Sequence, residues 1–271
     1  MKIDKILQEA SKRLKKFERP RLEAEILLSF YLKCDRIYLH LNSSKEIFNL
    51  DKFWELVRRR EENEPIEYIT NRVNFYSEEF FIAKGALIPR PETEILVDVA
   101  SSLIQKFNIK KIAEIGVGSG VISIILAKKF PNLKIVATDI SKNALQIAEK
   151  NLKLHKVDSQ IKLLHSSLLD KVEEKVELIV SNPPYISRDF KLSPNIINFE
   201  PKEALFADED GVKLLKEIVL LGIKKEVKAI VCEMGYDQLE KMREFFLPLN
   251  PKEFKFYKDL GGLDRGFWLI P

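Results

Sequence analysis

The segment 178–185 reads LIVSNPPY, an apolar run followed by an asparagine, two consecutive prolines and a tyrosine. The apolar half is typical of a buried strand. Neither proline has an N–H group for a sheet ladder, so the strand has to end there, and each favours an extended conformation in the residue before it. The side chain of Asn182 and the carbonyl of Pro183 are therefore predicted to lie on a stiff turn at the carboxyl end of a strand, where open α/β sheets bind their ligands.

This turn suits a substrate with a planar amino group, as in an amide or a nucleobase. Such a group carries two hydrogens, and the side-chain oxygen of Asn182 and the carbonyl of Pro183 can accept one each. Tyr185 is expected to lie against the flat group and to exclude water. The nitrogen is a poor nucleophile because its lone pair is delocalised, so holding it in line with an electrophile is worth about 7–11 kcal/mol. The alternative interpretation is a proline-rich loop that only terminates a strand.

After residue 110 the chain alternates between strand and helix. Apolar, β-prone runs predict strands at 111–115, 133–138, 161–164, 176–180, 227–232, 254–258 and 267–270. Helices are predicted at 121–129, 141–154, 211–223 and 237–246, with Ser141 as an N-cap. The last two strands are expected to close the sheet as an antiparallel pair. This order predicts a doubly wound, seven-stranded Rossmann-like α/β sheet.

The first 90 residues have a different character. Residues 1–72 carry apolar side chains at helical spacing and predict a small helical domain. Asp51 is the expected N-cap of a helix that ends in three arginines, 58–60, which either complement the helix dipole in solvent or form a docking surface. Residues 73–90 predict a β-hairpin linker. The expected division of the chain is therefore 1–72, 73–90 and 91–271.

A glycine turn precedes the proline turn in the sheet region. The segment 114–120 reads EIGVGSG and lies between a predicted strand and a predicted helix, where glycines let the backbone approach a ligand closely. Asp139 follows at the end of the next strand, a position from which an acid binds both hydroxyls of a ribose. Each hydrogen bond to such a charged acceptor is worth about 1.5–3 kcal/mol. The alternative role for Asp139 is to cap the next helix.

The pattern of the glycines favours S-adenosylmethionine over a dinucleotide. A dinucleotide fingerprint requires a third glycine where this chain has Val121. The carboxylate of Glu114 would repel a pyrophosphate, but it suits the ammonium and sulfonium groups of S-adenosylmethionine. An NAD-linked oxidoreductase is the second interpretation, although no catalytic histidine and no Tyr-x-x-x-Lys pair stands at a strand end.

Composition narrows the class of protein. The 271 residues include 45 basic and 41 acidic side chains, and the net charge of +4 with both signs interspersed is weak evidence for a polyanionic partner. Cys34 and Cys232 are far apart, which fits core packing in a reducing compartment. No apolar run approaches the roughly 20 residues of a membrane span, and the lysine-rich N-terminus does not look like a signal peptide. A cytoplasmic protein is therefore expected. No metal site is expected, because the histidines are scattered.

Several motifs together resemble a known family. The segments EIGVGSG at 114–120, ATDIS at 137–141 and SNPPYI at 181–186 are similar to class I methyltransferases that act on planar amines. The segments IPRPETE at 88–94 and FEPKEALF at 199–206 are more selective. With the helical N-terminal domain, they resemble the peptide chain release factor glutamine methyltransferases, the HemK/PrmC family. The likeness covers nearly the whole chain.

The resemblance implies methyl transfer from S-adenosylmethionine, with S-adenosylhomocysteine as product, to the glutamine amide in the Gly-Gly-Gln motif of class I release factors. It implies that the helical domain docks the release factor, and that the protein is a monomer that binds neither membranes nor, stably, nucleic acid. The implied catalytic and substrate-binding residues are Asn182, Pro183, Pro184 and Tyr185, with Arg90 and Glu92 nearby. The implied cofactor-binding residues are Glu114, Gly116, Val117, Gly118, Ser119, Gly120, Asp139, Ile140, Ser167, Leu168 and Asn182.

Two positions depart from the family pattern. The family often has an acid followed by an aromatic residue at the end of the third strand, where this chain has Ser167 and Leu168 beside the expected adenine site. Ala207 and Asp208 stand where the family commonly has two glycines. Three other functions remain open: methylation of the exocyclic amine of adenine in nucleic acid, methylation of a glutamine in a ribosomal protein, and non-catalytic binding of a translation factor.

Overall fold

The computed structural model of the chain describes residues 1–207 and 211–271, so Asp208 lies outside the described residues. The chain divides into two compact units. The first comprises Met1–Arg72 together with Ser193–Phe199, and the second comprises Val73–Leu192 together with Glu200–Pro271.

The described helices are α1 Ile3–Arg13, α2 Pro20–Leu32, α3 Arg36–Leu41, α4 Asp51–Glu61, α5 Ile66–Thr70, α6 Thr93–Lys106, α7 Val121–Lys129, α8 Lys142–His155, α9 Pro194–Ile197, α10 Lys202–Leu205, α11 Lys213–Lys224 and α12 Leu239–Phe246. The described strands are β1 Arg72–Phe75, β2 Glu78–Phe81, β3 Lys111–Ile115, β4 Lys134–Asp139, β5 Ile161–His165, β6 Leu178–Ser181, β7 Ala229–Glu233, β8 Glu253–Lys258 and β9 Asp264–Ile270. The short helices α3, α9 and α10 were not predicted, because one or two turns are too short to show a periodicity.

The first unit buries one apolar face of each of its longer helices in a common core. Ile3, Ile6 and Leu7 of α1 meet Leu27 and Leu28 of α2 in that core. Proline at the first position of α2 begins that helix, since its fixed φ suits the first turn and its missing N–H is not needed there. The predicted helical character of this part of the chain is confirmed.

One prediction at α4 was wrong, and a second does not hold for Arg60. Leu50 rather than Asp51 is the N-cap, and Asp51 is the first helical residue, where its charge complements the helix dipole. The basic triplet is not simply solvated: Arg60 is only 7% exposed, pairs with Glu23 at 2.5 Å and lies over the ring of Phe17. Sequence periodicity did not reveal this pair, because its members stand on different helices.

The second unit begins with the predicted hairpin. Strands β1 and β2 form a two-stranded sheet, and Tyr76 and Ser77 between them have φ values of 55° and 61°. Two successive residues with positive φ make the type of two-residue turn that matches the twist of paired strands.

Within the described residues, seven strands form one sheet in the order β5-β4-β3-β6-β7-β9-β8, which confirms the predicted fold class. Strands β3 to β7 run parallel, and β9 runs antiparallel to both β7 and β8, as expected of the closing pair. Helices cover both faces, and each face has its own apolar core. The chain leaves β3 towards β4 on one side and later returns to β6 on the other, so the strand order reverses between β3 and β6. Ligands of such sheets bind at this reversal.

Replacing the fully buried Ile179 of β6 by alanine is expected to lower the free energy of unfolding by about 2–5 kcal/mol, because the core cannot close the resulting cavity. Leu154, which is 58% exposed, is the matched control, and Leu154→Ala is expected to change stability by less than about 0.5 kcal/mol. Urea unfolding followed by the fluorescence of Trp268 measures this, in a Trp54→Phe background so that only the second unit reports. Equal effects of the two substitutions would contradict the buried position of β6.

Candidate active site

The carboxyl ends of β3, β4, β5 and β6 surround a cavity of about 250 Å³ in the second unit. The register of the sheet brings these ends together, since Ile115 pairs with Thr138 on one side and Ser181 on the other, and Asp139 pairs with His165. Of the predicted site residues, the following line the cavity: Arg90, Glu114, Gly116, Val117, Gly118, Ser119, Asp139, Ile140, Ser167, Leu168, Asn182, Pro183 and Pro184. Gly120, Glu92 and Tyr185 are not in its wall.

The glycine turn after β3 requires its glycines. Gly116, Gly118 and Gly120 have φ values of 76°, 54° and 87°, which place all three in the left-handed region. A Cβ on Gly120 would also meet the side chains of Ile124 and Ala148 at 3.3–3.4 Å, so this glycine allows helices α7 and α8 to pack closely below the turn. Gly120 therefore shapes the cavity wall without lining it.

Glu114 is a buried carboxyl group with one unsatisfied oxygen. Its Oε2 accepts hydrogen bonds from the backbone N–H and the hydroxyl of Ser123, whereas its Oε1 has no hydrogen-bond partner among the described residues. Burial, together with repulsion from Asp139, raises the pKa of Glu114 to about 8. A buried oxygen without a partner is costly. Because Glu114 lines the cavity, a positively charged ligand group would favour loss of the carboxyl proton and bind the free oxygen.

Asp139, at the end of β4, is bound to the glycine turn. Its Oδ2 accepts from the backbone N–H of Gly118 at 2.9 Å, and its Oδ1 accepts from the N–H of Ser141 at 2.8 Å. The N-cap of α8 is Ser141, whose hydroxyl accepts from the N–H of Ala144, so Asp139 is not the cap of that helix. Burial raises the pKa of Asp139. Each carboxylate oxygen keeps room for a second donor, which suits a ligand with neighbouring hydroxyl groups.

The end of β5 contributes an apolar wall. Leu168 has φ of 41°, an uncommon conformation for a residue with a side chain, and strained backbone of this kind concentrates at ligand sites. Ser166 stabilises the turn, since its hydroxyl donates to the carbonyl of Ser167 and accepts from the N–H of Lys171. Leu168 and the 59% exposed Ile140 therefore supply apolar surface to this part of the cavity.

Asn182 takes part in a chain of hydrogen bonds that leads into the protein. Its Nδ2 donates to Oγ1 of Thr93 at 3.1 Å, and the Thr93 hydroxyl donates to Oε2 of Glu233 at 2.7 Å. The hydroxyl of Tyr185 donates to the other oxygen of Glu233 at 2.9 Å. Tyr185 thus points towards Glu233 instead of forming part of the cavity wall, and burial raises its pKa, so that the phenol stays neutral.

Arg90 is held by Glu200. Its Nη2 donates to Oε1 of Glu200 at 2.6 Å, and Oε2 of Glu200 accepts from the backbone N–H of Ile88 at 3.0 Å. Glu200 is 5% exposed, so the pair is partly desolvated and fixes the segment 88–90 against the cavity. Glu92, by contrast, is the N-cap of α6 and makes no side-chain capping bond.

Sequence reasoning missed the roles of Thr93, Glu200 and Glu233. Thr93 and Glu200 stand in the segments 88–94 and 199–206, and Glu233 directly follows a predicted strand. A glutamate at the end of an apolar strand was the signal that the sequence offered. Their partners are 48 to 140 residues away, so no local pattern reveals the pairing. Within residues 1–207 and 211–271, no group of three or more His, Cys, Asp and Glu side chains could hold a metal ion. None of the described helices is long and apolar enough to cross a membrane.

Comparisons with known proteins identify the family. One family model, described as the PrmC N-terminal domain, matches residues 5–70, and another, described as the Methyltransferase small domain, matches residues 93–199. A release factor glutamine methyltransferase of Buchnera aphidicola subsp. Baizongia pistaciae is 35% identical over 271 residues, which cover 98% of both chains. The chain belongs to the release factor glutamine methyltransferase family. The predicted family is thus confirmed.

Other relatives in this family and beyond differ in length. A release factor glutamine methyltransferase of Dictyoglomus turgidum is 41% identical over 211 residues, covering 76% of this chain and 74% of that one. A protein of Rickettsia typhi named bifunctional methyltransferase is 37% identical over 300 residues, covering 99% of this chain but 57% of that one. The chain therefore spans little more than half the length of the bifunctional relative.

Solved structures share the fold. The catalytic domain of human METTL16 in complex with a 3′UTR hairpin has a TM-score of 0.58 at 17% identity, covering 70% of this chain and 74% of that one. A METTL16 N-terminal domain in complex with SAH has a TM-score of 0.52 at 14% identity, covering 85% and 86% of the two chains. At these identities the likeness concerns the fold alone.

Glu114→Gln is expected to remove a pH dependence of stability. Because the pKa of Glu114 is raised from 4.5 to about 8, the folded protein keeps this proton over a range in which the unfolded chain loses it. The free energy of unfolding of the wild type should therefore fall, relative to that of Glu114→Gln, as the pH rises from about 5 to about 8. Urea unfolding of both proteins without added ligand at several pH values measures the difference. Parallel pH profiles would show that Glu114 titrates normally.

Proposed function

We propose that the protein transfers a methyl group from S-adenosylmethionine to the side-chain amide nitrogen of the glutamine in the Gly-Gly-Gln motif of class I release factors. The observation that carries the proposal is the state of Asn182. Its Nδ2 is engaged by Thr93, and no bond to its Oδ1 forms within the described residues, so that the cavity wall offers an acceptor for an amide N–H beside the glycine turn. The Pro183 carbonyl is the proposed second acceptor.

The residues around the cavity fit the cofactor. The unpartnered Oε1 of Glu114 suits the ammonium group of the methionine part, and the turn 116–120 gives its backbone room to approach. Asp139 is placed to accept from the ribose hydroxyls, and Ile140, Ser167 and Leu168 would border the adenine. When bound, S-adenosylmethionine supplies an electrophilic methyl group carried by a sulfonium.

The protein residues contribute positioning more than acid–base chemistry. Asn182 and Pro183 hold both hydrogens of the glutamine amide, which aims the nitrogen lone pair and removes the need to orient it during the reaction. The stiff turn made by Pro183 and Pro184 keeps these acceptors in place. The methylated nitrogen is strongly acidic before it loses its proton, so water or a carbonyl suffices as base. The neutral Tyr185 does not serve as one, and its role is to fix Glu233.

The substrate, the oligomeric state and the cellular location are also part of the proposal. The names of the relatives support a release factor as substrate, and the modest net charge of +4 offers little attraction to nucleic acid, which disfavours adenine methylation. We infer that the helical unit docks the release factor and that the protein acts as a cytoplasmic monomer without stable binding to membranes or nucleic acid. Methylation of a ribosomal protein and non-catalytic binding are distinguished by the test below.

Methyl transfer to a purified class I release factor tests the proposed function. Label from S-adenosylmethionine is expected to enter the intact factor and not a factor whose Gly-Gly-Gln glutamine is replaced. Equal label in both factors would show that a different residue of the release factor is methylated. Label that enters only a ribosomal protein or a nucleic acid from a cell extract would replace the proposed substrate, and label in no fraction would favour a binding module.

Asn182→Ala is expected to reduce turnover at least about 100-fold, the scale of losing one aligned polar group. The exposed loop residue Asn132 provides the matched control, and Asn132→Ala should leave turnover unchanged. Single-turnover rates at saturating release factor and cofactor separate this effect from weaker binding. Turnover near that of the wild type would contradict the proposed role of Asn182 in holding the glutamine amide.

A further inference from the structure

The hydrogen bonds from Glu233 to Asn182 have a fixed direction. Glu233 accepts at both of its oxygens, one bond from Thr93 and one from Tyr185. The Thr93 hydroxyl has a single hydrogen, which it gives to Glu233, so that its oxygen can only accept from Asn182. The end of the Asn182 amide that faces Thr93 must therefore be the NH2 group, and Oδ1 lies at the other end.

The opposite arrangement shows what this direction decides. If the hydrogen of the Thr93 hydroxyl were not engaged by Glu233, it could be donated to Oδ1 of Asn182, with the amide turned by half a rotation. The cavity would then meet two N–H donors of Asn182, and these would oppose the two N–H groups of an acceptor amide. They would instead suit a carboxylate, which has the same shape as the amide and only accepts hydrogen bonds. An asparagine alone does not discriminate between the two ligands, because its two ends are nearly equal in size.

We propose that Glu233 and Thr93 are positioning residues that fix the Asn182 amide with its oxygen towards the cavity, and that they thereby select a glutamine over a glutamate in the acceptor. The choice of acceptor rests on the proposed function, whereas the fixed orientation of Asn182 does not. Thr93 is buried at 3% exposure and Glu233 at 1%, so water does not compete for these bonds. A site whose polar groups match a substrate N–H rejects an analogue that lacks it strongly, because buried groups are then left unpaired.

The surroundings of Glu233 act on its charge in opposite directions. Burial raises the pKa of Glu233, and the hydroxyls of Thr93 and Tyr185 together with the positive charge of Arg265 on β9 oppose that rise. Tyr185 and Arg265 therefore stabilise the carboxylate from the side opposite to Thr93 in the network. This explains why a tyrosine follows the two prolines even though its ring does not line the cavity.

Thr93→Val tests the proposal, with Thr93→Ser as matched control. Valine keeps the shape of threonine but removes the hydroxyl, so the Asn182 amide loses its fixed partner, whereas serine retains the hydroxyl. Each enzyme is assayed for methylation of the release factor and for inhibition by a factor whose acceptor glutamine is replaced by glutamate. In Thr93→Val, the inhibition constant of the glutamate form relative to the KM of the intact factor should fall at least about tenfold, and in Thr93→Ser it should stay near the wild-type ratio.

A looser site without this orienting role would give a different result. General loosening would weaken both forms alike and leave their ratio unchanged, and that outcome would overturn the proposal. Equal shifts of the ratio in Thr93→Val and Thr93→Ser would overturn it as well, because only one of the two lacks the hydroxyl.

A second measurement needs no substrate. In protein labelled with ¹⁵N at asparagine, the side-chain NH2 signal absent from Asn182→Ala identifies Asn182. Its exchange with solvent should be slow in the wild type and in Thr93→Ser, because Nδ2 donates to Thr93, and fast in Thr93→Val. Fast exchange in the wild type would overturn the fixed orientation. If the wild type methylates no release factor, the proposed function fails, and the exchange rates still decide whether Asn182 is oriented by Thr93.

Discussion

The parallel pairing of β3 with β6 is the constraint on which the site depends. It sets Ile115 beside Ser181, so that the glycine turn after one strand and the proline turn after the other begin side by side. A Cβ placed on Gly116 would lie 3.9 Å from the carbonyl of Asn182, which shows how closely the two backbones approach. A slip of one residue in either strand would exchange the faces of its side chains and separate the two turns. Cofactor and acceptor residues thus owe their proximity to strand register.

Three glutamates are buried at this edge of the sheet, where a carboxyl group without hydrogen-bond partners lowers stability. Glu200 is paired with Arg90 and a backbone N–H, and Glu233 accepts from two hydroxyls, so both are satisfied within the protein. Glu114 keeps one oxygen without a partner among the described residues. The first two therefore stabilise the geometry of segment 88–90 and of Asn182, whereas the third retains a binding capacity at some expense of stability.

Local patterns in the sequence predicted most of the sheet and the turns that border the cavity. Two prolines end β6, alternating glycines with positive φ follow β3, and Ser141 caps α8, each for a reason that involves only neighbouring residues. The bounds of the predicted strands differ from the observed ones by a few residues at their ends. The roles assigned to the individual site residues stay predictions, although most of those residues line the cavity.

The sequence by itself determined the strands of the sheet to within a few residues of their ends, and which backbone turns a ligand can approach, because these depend on φ restrictions, missing N–H groups and apolar spacing. Only the tertiary structure decided that Thr93 meets Glu233 across 140 residues, that Glu200 holds Arg90, and that Tyr185 points away from the cavity. These contacts join side chains from distant elements, and that of Thr93 depends on the packing of α6 against the sheet. A buried carboxylate accepts whichever donors the fold brings to it, and no local pattern specifies them.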